Sequence, residues 1–517
     1  MSCMNNQFRS DAAGSYRYVF TGVILICCLF SPSRVCSQPA VQSSSTSVVT
    51  GDAQPKNMLL YDKYGDLLND DTVYYKKCPF WRPVAGIFAQ EAVVWGSDRY
   101  VSNYPYSRIG LNTWSKNIKN GFSWDNDGLN MNFFLHPISG AGYFNFARSC
   151  GYNFGESALC TAGGSLLWEY FGENTSPSYD DLINTTVTGT FFGEMLYRLS
   201  SDILDDSATG SERTWREIAA GVVDPPRCLN RLWDGMTSSV STGEVYQKKP
   251  LNIELSGGMR MINNKGHFGG ATKDEVYGLK LEYGDPFEDR PFKPFDFFTL
   301  RGEIGSDPGV NSRGLGSIVG YGLLYGKNTG CGYGNITQWK NIRCESSDTL
   351  LGIFQHYDYW DNATFEMTTL AFGPGVISQK PLAGDSMLYS ALHLGAIPLA
   401  GTNTQFGPFS SSKRDYNYGD GAEAKFECGL KFRDRIDADF VGYYYWIHTY
   451  VGTAGDNFVG IIKPRITFRI FDRFSIGYEH QVYYDNRISR YLPNVNLVRT
   501  EQRIFVSFYL EDMKYRE

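Results

Sequence analysis

From about residue 250 onward, the chain alternates between apolar and polar side chains with a period of two. In segment 458–470, Phe458 and Ile466 share one face of an extended chain, and Lys463 and Arg465 share the other. Successive side chains of a β-strand point to opposite sides, so this pattern predicts strands with one apolar and one polar face. The alternating segments run for about 10–14 residues, whereas strands of globular proteins average about 5–6. Strands of this length are typical of a barrel that crosses a membrane.

The positions of charged and aromatic residues separate two β architectures. A soluble β-sandwich also alternates, and it is the alternative interpretation. In these segments, charges lie in mid-strand on one face only, and Tyr and Trp cluster near strand ends, as in 443–446 and 483–484. A transmembrane barrel has this distribution, with apolar side chains towards lipid and polar ones towards the lumen. We therefore predict a transmembrane antiparallel β-barrel over 246–517, closed because an open edge would leave backbone groups unpaired in hydrocarbon.

The predicted strand count is twelve, which is even, as a single-chain bacterial barrel requires. The strands are 250–262, 273–285, 295–306, 315–327, 349–361, 364–376, 385–398, 416–431, 436–450, 456–471, 473–486 and 499–512. Short links at 433–435 and 472–473 predict turns on the inner side of the membrane, and the longer links 399–415 and 487–498 predict the outer side. The link 328–348 is long for the inner side, which leaves ten or fourteen strands as alternatives.

The polar face of the predicted strands carries charges of both signs. The side chains predicted to face the lumen are Lys280, Arg301, Glu303, Glu423, Lys425, Glu427, Lys431, Lys463, Arg465, Arg469 and Glu479. A mixture of signs favours either interlocking salt bridges or a pore with weak charge preference.

The N-terminal segment has the features of a secretion signal. The apolar run 18–30 follows Arg9 and Arg17 and is too short to cross a bilayer as a helix. Small residues at 35–37 supply a cleavage site, so we predict a signal peptide over 1–37 and an exported protein of the Gram-negative outer membrane. A Ser/Thr/Gln-rich linker is predicted over 38–57, followed by a helical domain over 58–245.

Helical periodicity predicts four helices in that domain, at 84–100, 157–173, 178–205 and 211–222. Ser178 and Ser211 are the predicted N-caps of the last two helices, and Pro225-Pro226 is predicted to end the last one. A twelve-stranded barrel has a diameter of roughly 24 Å, which leaves space inside for one helix at most. Most of this domain is therefore expected on the periplasmic side, with one segment at most entering the barrel as a plug.

Seven cysteines follow the leader. An exported protein permits disulfides, and both Cys331–Cys344 and Cys150–Cys160 are close enough in sequence to pair. Connectivity does not follow from sequence alone, so both pairings stay open.

The segment 130–198 carries the densest set of polar residues. Its fixed spacings involve Asn132, His136-Pro137, Gly140, Tyr143, Ala147-Arg148, Ser157, Gly164-Ser165, Trp168-Glu169, Glu173, Pro177-Ser178, Asp181, Gly189 and Gly193-Glu194. In these residues the chain resembles an uncharacterised family of bacterial outer-membrane proteins, the domain-of-unknown-function family DUF3943. The resemblance implies a signal peptide and an outer-membrane barrel, and it implies no activity.

Several acids of this segment are predicted to lie close together. Glu169 and Glu173 are one helical turn apart and share a helix face, Asp181 begins the next helix, and Glu194 lies deep inside it. His136 is predicted to complete the cluster. Three interpretations stay open: a structural hydrogen-bond network, an acid–base or metal site, and a contact for an anion or lipid headgroup. With one histidine nearby, a transition-metal site is poorly supplied, so no metal and no cofactor are predicted.

Other classes of function find little support in the sequence. Ser157, His136 and Asp181 form a possible hydrolase triad by residue type, but the Gly-x-Ser-x-Gly motif is missing. The formal net charge of −7 argues against a nucleic-acid partner. The predicted function is a non-enzymatic pore, transport or envelope-structural protein whose helical domain closes the periplasmic mouth. It would contact outer-membrane lipid and, through the helical domain, periplasmic partner proteins. The alternative is an enzyme that acts on lipid or envelope polymer through segment 130–198.

Overall fold

A computed structural model describes residues 77–129, 131–241, 246, 248–263, 272–288, 292–305, 316–329, 348–362, 364–382, 386–403, 416–433 and 435–510. The predicted signal peptide, the linker, Cys331 and Cys344 lie outside these residues. The chain divides into two compact units. Of the described residues, the smaller unit holds 77–79, 148–152 and 196–248, and the larger unit holds the remainder. The predicted division at residue 245 follows different bounds and stays a prediction.

Twelve strands of the larger unit form one closed antiparallel barrel. They are β1 (Leu251–Asn263), β2 (Thr272–Tyr283), β3 (Phe298–Gly305), β4 (Gly316–Asn328), β5 (Asp348–Asp361), β6 (Glu366–Leu382), β7 (Ser386–Asn403), β8 (Tyr416–Phe432), β9 (Ile436–Val451), β10 (Gly455–Phe471), β11 (Phe474–Ser489) and β12 (Val495–Leu510). Each strand pairs with its neighbours in sequence, and β1 closes the barrel on β12, with Gly257 opposite Val506. The predicted barrel, its strand count and its antiparallel order are confirmed.

The period of two sorts the side chains between the two faces of the barrel wall. In β10, Ile462 and Phe468 are exposed on the outer face, whereas Lys463 on the opposite face is buried. The inner face also carries a large apolar cluster, in which Trp360 and Tyr445 are almost fully buried. The apolar outer belt is the surface that a transmembrane barrel turns to lipid.

The connection between β2 and β3 closes one end of the lumen. Phe292 and Phe297 from this connection pack with Leu323 of β4, Phe354 of β5 and other buried residues of the neighbouring strands. This is the end at which β1 begins and β12 ends. The aromatic side chains of a barrel connection thus occupy a place that the sequence led us to assign to a helix.

The helical part has eight α-helices among the described residues. They are α1 (Trp81–Gly96), α2 (Leu111–Asn120), α3 (His136–Arg148), α4 (Phe154–Leu167), α5 (Tyr179–Ile183), α6 (Gly189–Ile203), α7 (Gly210–Val223) and α8 (Pro225–Trp233). Five-residue π-helical turns adjoin several of them, at Ser97–Val101, Met131–Leu135, Trp168–Gly172 and Asn184–Thr188. Among these helices, none is long and apolar enough to cross a membrane.

The helix termini confirm one predicted cap and correct two other expectations. The Ser178 hydroxyl accepts a hydrogen bond from the backbone N–H of Asp181 at 3.3 Å, as predicted. Ser211 is not an N-cap, because α7 already begins at Gly210. Pro225 and Pro226 end α7 but also begin α8, since proline fits the first turn of a helix, where no N–H partner is needed.

The helices of the larger unit touch the barrel on its outer wall. In β5, Leu351 and Ile353 are exposed on the outer face, and Tyr357 has the same parity. The Tyr357 hydroxyl donates to the backbone carbonyl of Phe133 at 2.6 Å. The ring of Phe191, on α6, lies 6.2 Å from that of Tyr357. The sequence allowed one helical segment at most to enter the lumen, and charged and aromatic side chains of the strands occupy much of that space.

The smaller unit contains a disulfide and its own apolar core. Cys78 is bonded to Cys150, so the possible Cys150–Cys160 pairing does not occur and Cys160 is free. Leu204 and Tyr246 lie in the core. The sequence left two short-range pairings open, whereas the bonded pair is 72 residues apart and is brought together by the fold.

Candidate functional site

Three π-helical turns deliver the polar residues of segment 121–188 to one place. Asn132 lies in the first, Glu169 in the second and Thr185 in the third. A π-helical turn inserts an extra residue into an α-helix and is frequent at functional sites, because it redirects side chains out of the regular helical order. The single long helix predicted over 178–205 is interrupted by the third turn.

A close helix crossing brings α3 against the third π-helical turn. A Cβ atom on Gly140 would lie 2.0 Å from the backbone oxygen of Thr185, and one on Gly189 would lie 2.6 Å from the Cα atom of Gly140. Both positions therefore require glycine. The crossing sets His136, at the start of α3, beside Thr185, whose hydroxyl lies 3.3 Å from the imidazole Nδ1.

Three aspartates meet at the centre of the site and are here called the aspartate triad: Asp125, Asp180 and Asp181. Each offers one carboxylate oxygen, and these oxygens lie within 4.8 Å of one another. The Ser178 hydroxyl donates to Asp180 Oδ1 at 2.6 Å, and the backbone N–H of Asp125 donates to the same oxygen at 3.1 Å. Asp180 and Asp181 are buried, and Asp125 is partly exposed. Two carboxylates are therefore withdrawn from water, and the third borders it.

Two tyrosines of the barrel wall complete the surroundings of the triad. The Tyr418 hydroxyl donates to Asp180 Oδ2, and the Tyr416 hydroxyl lies 2.5 Å from that of Tyr418. Asn132 joins both groups, because its Nδ2 lies 3.0 Å from Asp180 Oδ2 and 2.7 Å from the Tyr416 hydroxyl. Tyr416 and Tyr418 share the outer-face parity of the exposed Phe426 on β8. The barrel wall thus forms one side of the site.

Burial raises the pKa of the acids. Desolvation, with the nearby charges of Asp180 and Glu169, holds the pKa of Asp181 well above its ordinary value. Desolvation and the neighbouring Glu173 likewise raise the pKa of Glu169, although its Oε2 accepts the backbone N–H of Ser178 at 2.7 Å. Burial raises the pKa of Glu173 to about 8. Burial therefore favours the protonated form of these carboxyl groups.

His136 is neutral in this setting. Its Nε2 lies 3.6 Å from Asp181 Oδ1. Burial lowers the pKa of the imidazole to about 4, although the charge of Asp125 acts in the opposite direction. Desolvation thus outweighs the attraction of the nearby acids and favours the uncharged imidazole.

The structure brings four of the six candidate residues together and sets two apart. Asp181 belongs to the aspartate triad, and His136, Glu169 and Glu173 lie around it, as the preceding contacts and electrostatic effects show. Ser157 lies twelve residues before Glu169 on the same helical segment, which is about 18 Å along the axis. Glu194 is fully buried on α6, beyond the third π-helical turn. The triad of Ser157, His136 and Asp181 is therefore not assembled.

Ion pairs cross the lumen between strands that are not neighbours. The Arg301 guanidinium on β3 lies 2.6 Å from Glu427 Oε2 on β8, and Lys463 Nζ on β10 lies 2.7 Å from Glu303 Oε1 on β3. Arg465 pairs with Glu254 in the same way. These pairs bridge facing parts of the wall and divide the space inside.

The other predicted lumen residues take different partners. Lys425 Nζ lies 2.5 Å from Asp358 Oδ2 and 3.2 Å from Glu423 Oε1. The Arg469 guanidinium lies 4.9 Å from the centre of the Tyr509 ring. Lys280 borders a cavity of about 120 Å³ inside the barrel. Acids and bases thus alternate along the lumen.

Several site residues were missed in the sequence. Asp125 lies in the loop motif WDNDG (124–128), whose acids and glycine are a turn signal that also supplies oxygen ligands, and Asp180 directly precedes the predicted Asp181. Nothing in the sequence links Tyr416 and Tyr418 to this site. They are more than two hundred residues away, Tyr418 being 238 residues from Asp180, and they resemble the aromatic residues of any strand end.

The family model described as "Domain of unknown function (DUF3943)" matches residues 121–226, which confirms the predicted resemblance. This range contains the whole helical part of the site. Comparison with curated protein sequences found no match.

Several solved structures are similar to part of the chain. The outer-membrane-expressed OmpT of Vibrio cholerae is 10% identical, with 50% of this chain and 97% of that chain covered and a TM-score of 0.19. An outer membrane channel from Pseudomonas putida F1 is 9% identical, with 51% and 97% covered and a TM-score of 0.26. An anion-selective porin from Comamonas acidovorans is 7% identical, with 50% and 98% covered and a TM-score of 0.21. At these scores, the barrel is established by its own strand pairing.

Proposed function

We propose that this protein lies in the bacterial outer membrane as a sealed barrel, and that it serves as a scaffold for the helices on its outer wall. The barrel would hold these helices at the level of the lipid, and the buried polar site between helices and wall would be the working part. This proposal keeps the envelope-structural role expected from the sequence and assigns no transport to the lumen.

The observation that carries the proposal is the set of ion pairs across the lumen. Arg301–Glu427 and Lys463–Glu303 join strands on facing sides of the barrel. The aromatic cluster around Phe297 and Phe354 fills the end at which β1 begins. A buried charge that loses its partner costs about 3–5 kcal/mol, so such pairs are not opened by thermal motion. A lumen divided in this way supports a scaffold better than a pore.

The exposed side of the helices supports their contact with lipid. Trp81 and Phe88 on α1 are seven residues apart, as are Leu159 and Leu166 on α4, and all four are exposed. Residues seven apart lie on one face of a helix. Since these helices belong with the outer wall of the barrel, their apolar faces continue its lipid-facing belt. Acyl chains of the membrane are the partner that this surface fits.

Planar-bilayer recording of the purified full chain tests the scaffold. We expect no steady current from the wild type. We expect current from a variant in which Arg301, Glu303, Glu427 and Lys463 are all replaced by Ser. The matched control replaces Lys273 and Glu275, exposed near the end of β2, and should stay silent. Heat-modifiable gel mobility reports whether each barrel is folded. A steady wild-type current would refute the sealed scaffold.

An enzyme that acts on membrane lipid is the second candidate. The observation in its favour is the neutral His136 at 3.6 Å from Asp181, a carboxyl whose pKa is raised by burial. A neutral imidazole accepts a proton and a protonated carboxyl donates one, as acid–base catalysis requires. Outer-membrane lipids would be incubated with the wild type, Asp181→Asn and the control Glu91→Gln. Turnover that survives in Asp181→Asn, or that is missing in the wild type, would end this reading.

A further inference from the structure

The aspartate triad has the geometry of a cation site. Two oxygens that bind one Ca²⁺ at about 2.4 Å are at most about 4.8 Å apart. The ligand oxygens of Asp125, Asp180 and Asp181 all lie within 4.8 Å of one another. Among the described residues, no other group of three acidic, histidine or cysteine side chains brings its ligand atoms this close together. An acidic cluster alone does not define a cation site, so the assignment depends on the polar atoms around the triad.

Asn132 provides an independent indication of a missing ligand. Its side chain is fully buried, and its Oδ1 has no hydrogen-bond partner among the described residues. Its Nδ2 lies within 3.1 Å of four oxygens, of Asp125, Asp180, Tyr416 and Tyr418. An amide nitrogen has only two hydrogens and cannot satisfy four acceptors. A half-turn of the amide would set its carbonyl oxygen against the carboxylates, and a cation between them would make that arrangement favourable.

Asp181 repeats this pattern within the triad. Its Oδ1 has no hydrogen-bond partner among the described residues although it is buried, and His136 Nε2 lies 3.6 Å away, beyond hydrogen-bond distance. A buried carboxylate oxygen without a partner costs free energy. Asn132 Oδ1 and Asp181 Oδ1 are thus two unpartnered oxygens in the same small volume. A bound cation would satisfy both.

We propose that Asp125, Asp180 and Asp181 bind a hard divalent cation, Ca²⁺, with Asn132 as a further oxygen ligand. Carboxylate and amide oxygens are the ligands that Ca²⁺ prefers. The site would tie the loop around Asp125 and helix α5 to the barrel wall through Asp180 and Tyr418. This inference deepens the proposed working part but does not depend on whether the barrel conducts. Conductance tests the lumen, and cation binding tests the triad.

Titration of the detergent-solubilised full chain with CaCl₂ tests the proposal. We expect one site in the wild type, with its affinity lowered at least tenfold in Asp181→Asn. Asp125→Asn, at the partly exposed ligand, provides a second variant should the first fail to fold. The matched control is Glu91→Gln, because Glu91 is also buried and its pKa is raised to about 8 by desolvation, but it lies outside the triad. We expect its affinity to stay within twofold of the wild type.

Two results would overturn the proposal. The first is no Ca²⁺ binding by the folded wild type up to 10 mM, roughly ten times the weakest constants of extracellular Ca²⁺ sites. The second is equal affinity in the wild type and both triad variants, which would place the cation elsewhere. A parallel titration with MgCl₂ should give weaker binding, because Mg²⁺ demands shorter and more regular coordination. Tighter binding of Mg²⁺ would contradict the assignment of Ca²⁺.

Discussion

The lumen and the aspartate triad both bury ionisable residues. The lumen combines acids with bases, whereas the triad gathers acids alone. In the lumen, acids face bases, as in the contact of 2.6 Å between Arg301 and Glu427. Around the triad, the acids Glu169, Asp180 and Asp181 gather beside one neutral histidine. Burial is therefore compensated inside the lumen by opposite charge, whereas the triad requires protons or a cation.

This difference separates a structural role from a binding role. Two buried charges of opposite sign neutralise each other and require no further partner. Separating them is costly, because each charge would then be buried without a partner. Crowded charges of one sign respond to pH and to cations. The lumen thus behaves as a fixed support, and the helical site beside the wall is the part that can change its state.

The largest expected effect is the loss of a charge in the lumen. Arg301→Ala should lower the free energy of unfolding by about 3–5 kcal/mol, because Glu427 then stays buried without its partner. Thermal unfolding followed by heat-modifiable gel mobility measures this change. The control Glu212→Ala removes the exposed half of a surface pair with Arg216 and should cost about 0.5 kcal/mol. Equal effects of the two variants would refute the distinction between lumen and surface charges.

The acidic site should make stability depend on pH in the opposite way to ordinary paired acids. The pKa of Glu173 rises from 4.5 to about 8 on burial. A raised pKa gives stability that is complete below the unfolded value and is lost as pH rises through the folded one. Without Ca²⁺, we expect the free energy of unfolding to fall by about 2 kcal/mol from pH 5 to pH 8.

His136 opposes this trend, since its lowered pKa, about 4, gives stability above its unfolded value that is lost towards acid pH. The acids outnumber it, so the fall towards pH 8 should prevail. Chemical unfolding at several pH values measures the slope, and Glu173→Gln combined with Asp181→Asn should flatten it. An unchanged slope in that double variant would show that other groups cause the dependence.

The smallest expected effect concerns the contact between site and wall. Tyr418→Phe removes the hydroxyl that donates to Asp180 and should cost about 1 kcal/mol. Hydrogen exchange of the backbone amides of α5 should become faster, because the helix loses one tie to the barrel. The control Tyr444→Phe changes an exposed tyrosine of the outer belt and should leave that exchange unaltered. Equal exchange rates in both variants would show that the Tyr418 hydroxyl does not hold α5 against the barrel wall.

Local patterns predicted the barrel strand by strand, but they predicted the site only in part. Each strand is predicted by the alternation of apolar and polar residues within it, as with Ile462 and Lys463 in β10. Glu169, Asp181 and His136 were recognisable by residue type and helical spacing. Asp125 and Tyr418 were not, because the first lies in a loop and the second belongs to a strand far along the chain. The disulfide Cys78–Cys150 was also not predicted, because its two cysteines are 72 residues apart in the sequence.

The sequence by itself determined that this chain forms a closed antiparallel barrel, with twelve as the favoured strand count, because the side chain of every second residue must face either lipid or lumen. That choice is made residue by residue and leaves its mark in the order of the amino acids. Only the tertiary structure decided that the helices lie against the outer wall and that three π-helical turns bring Asn132, Glu169 and Thr185 to the aspartate triad. Such placement depends on how surfaces far apart in the sequence fit together, as where the missing side chain of Gly140 allows the backbone of Thr185 to approach. The local periodicity of the sequence does not encode this fit.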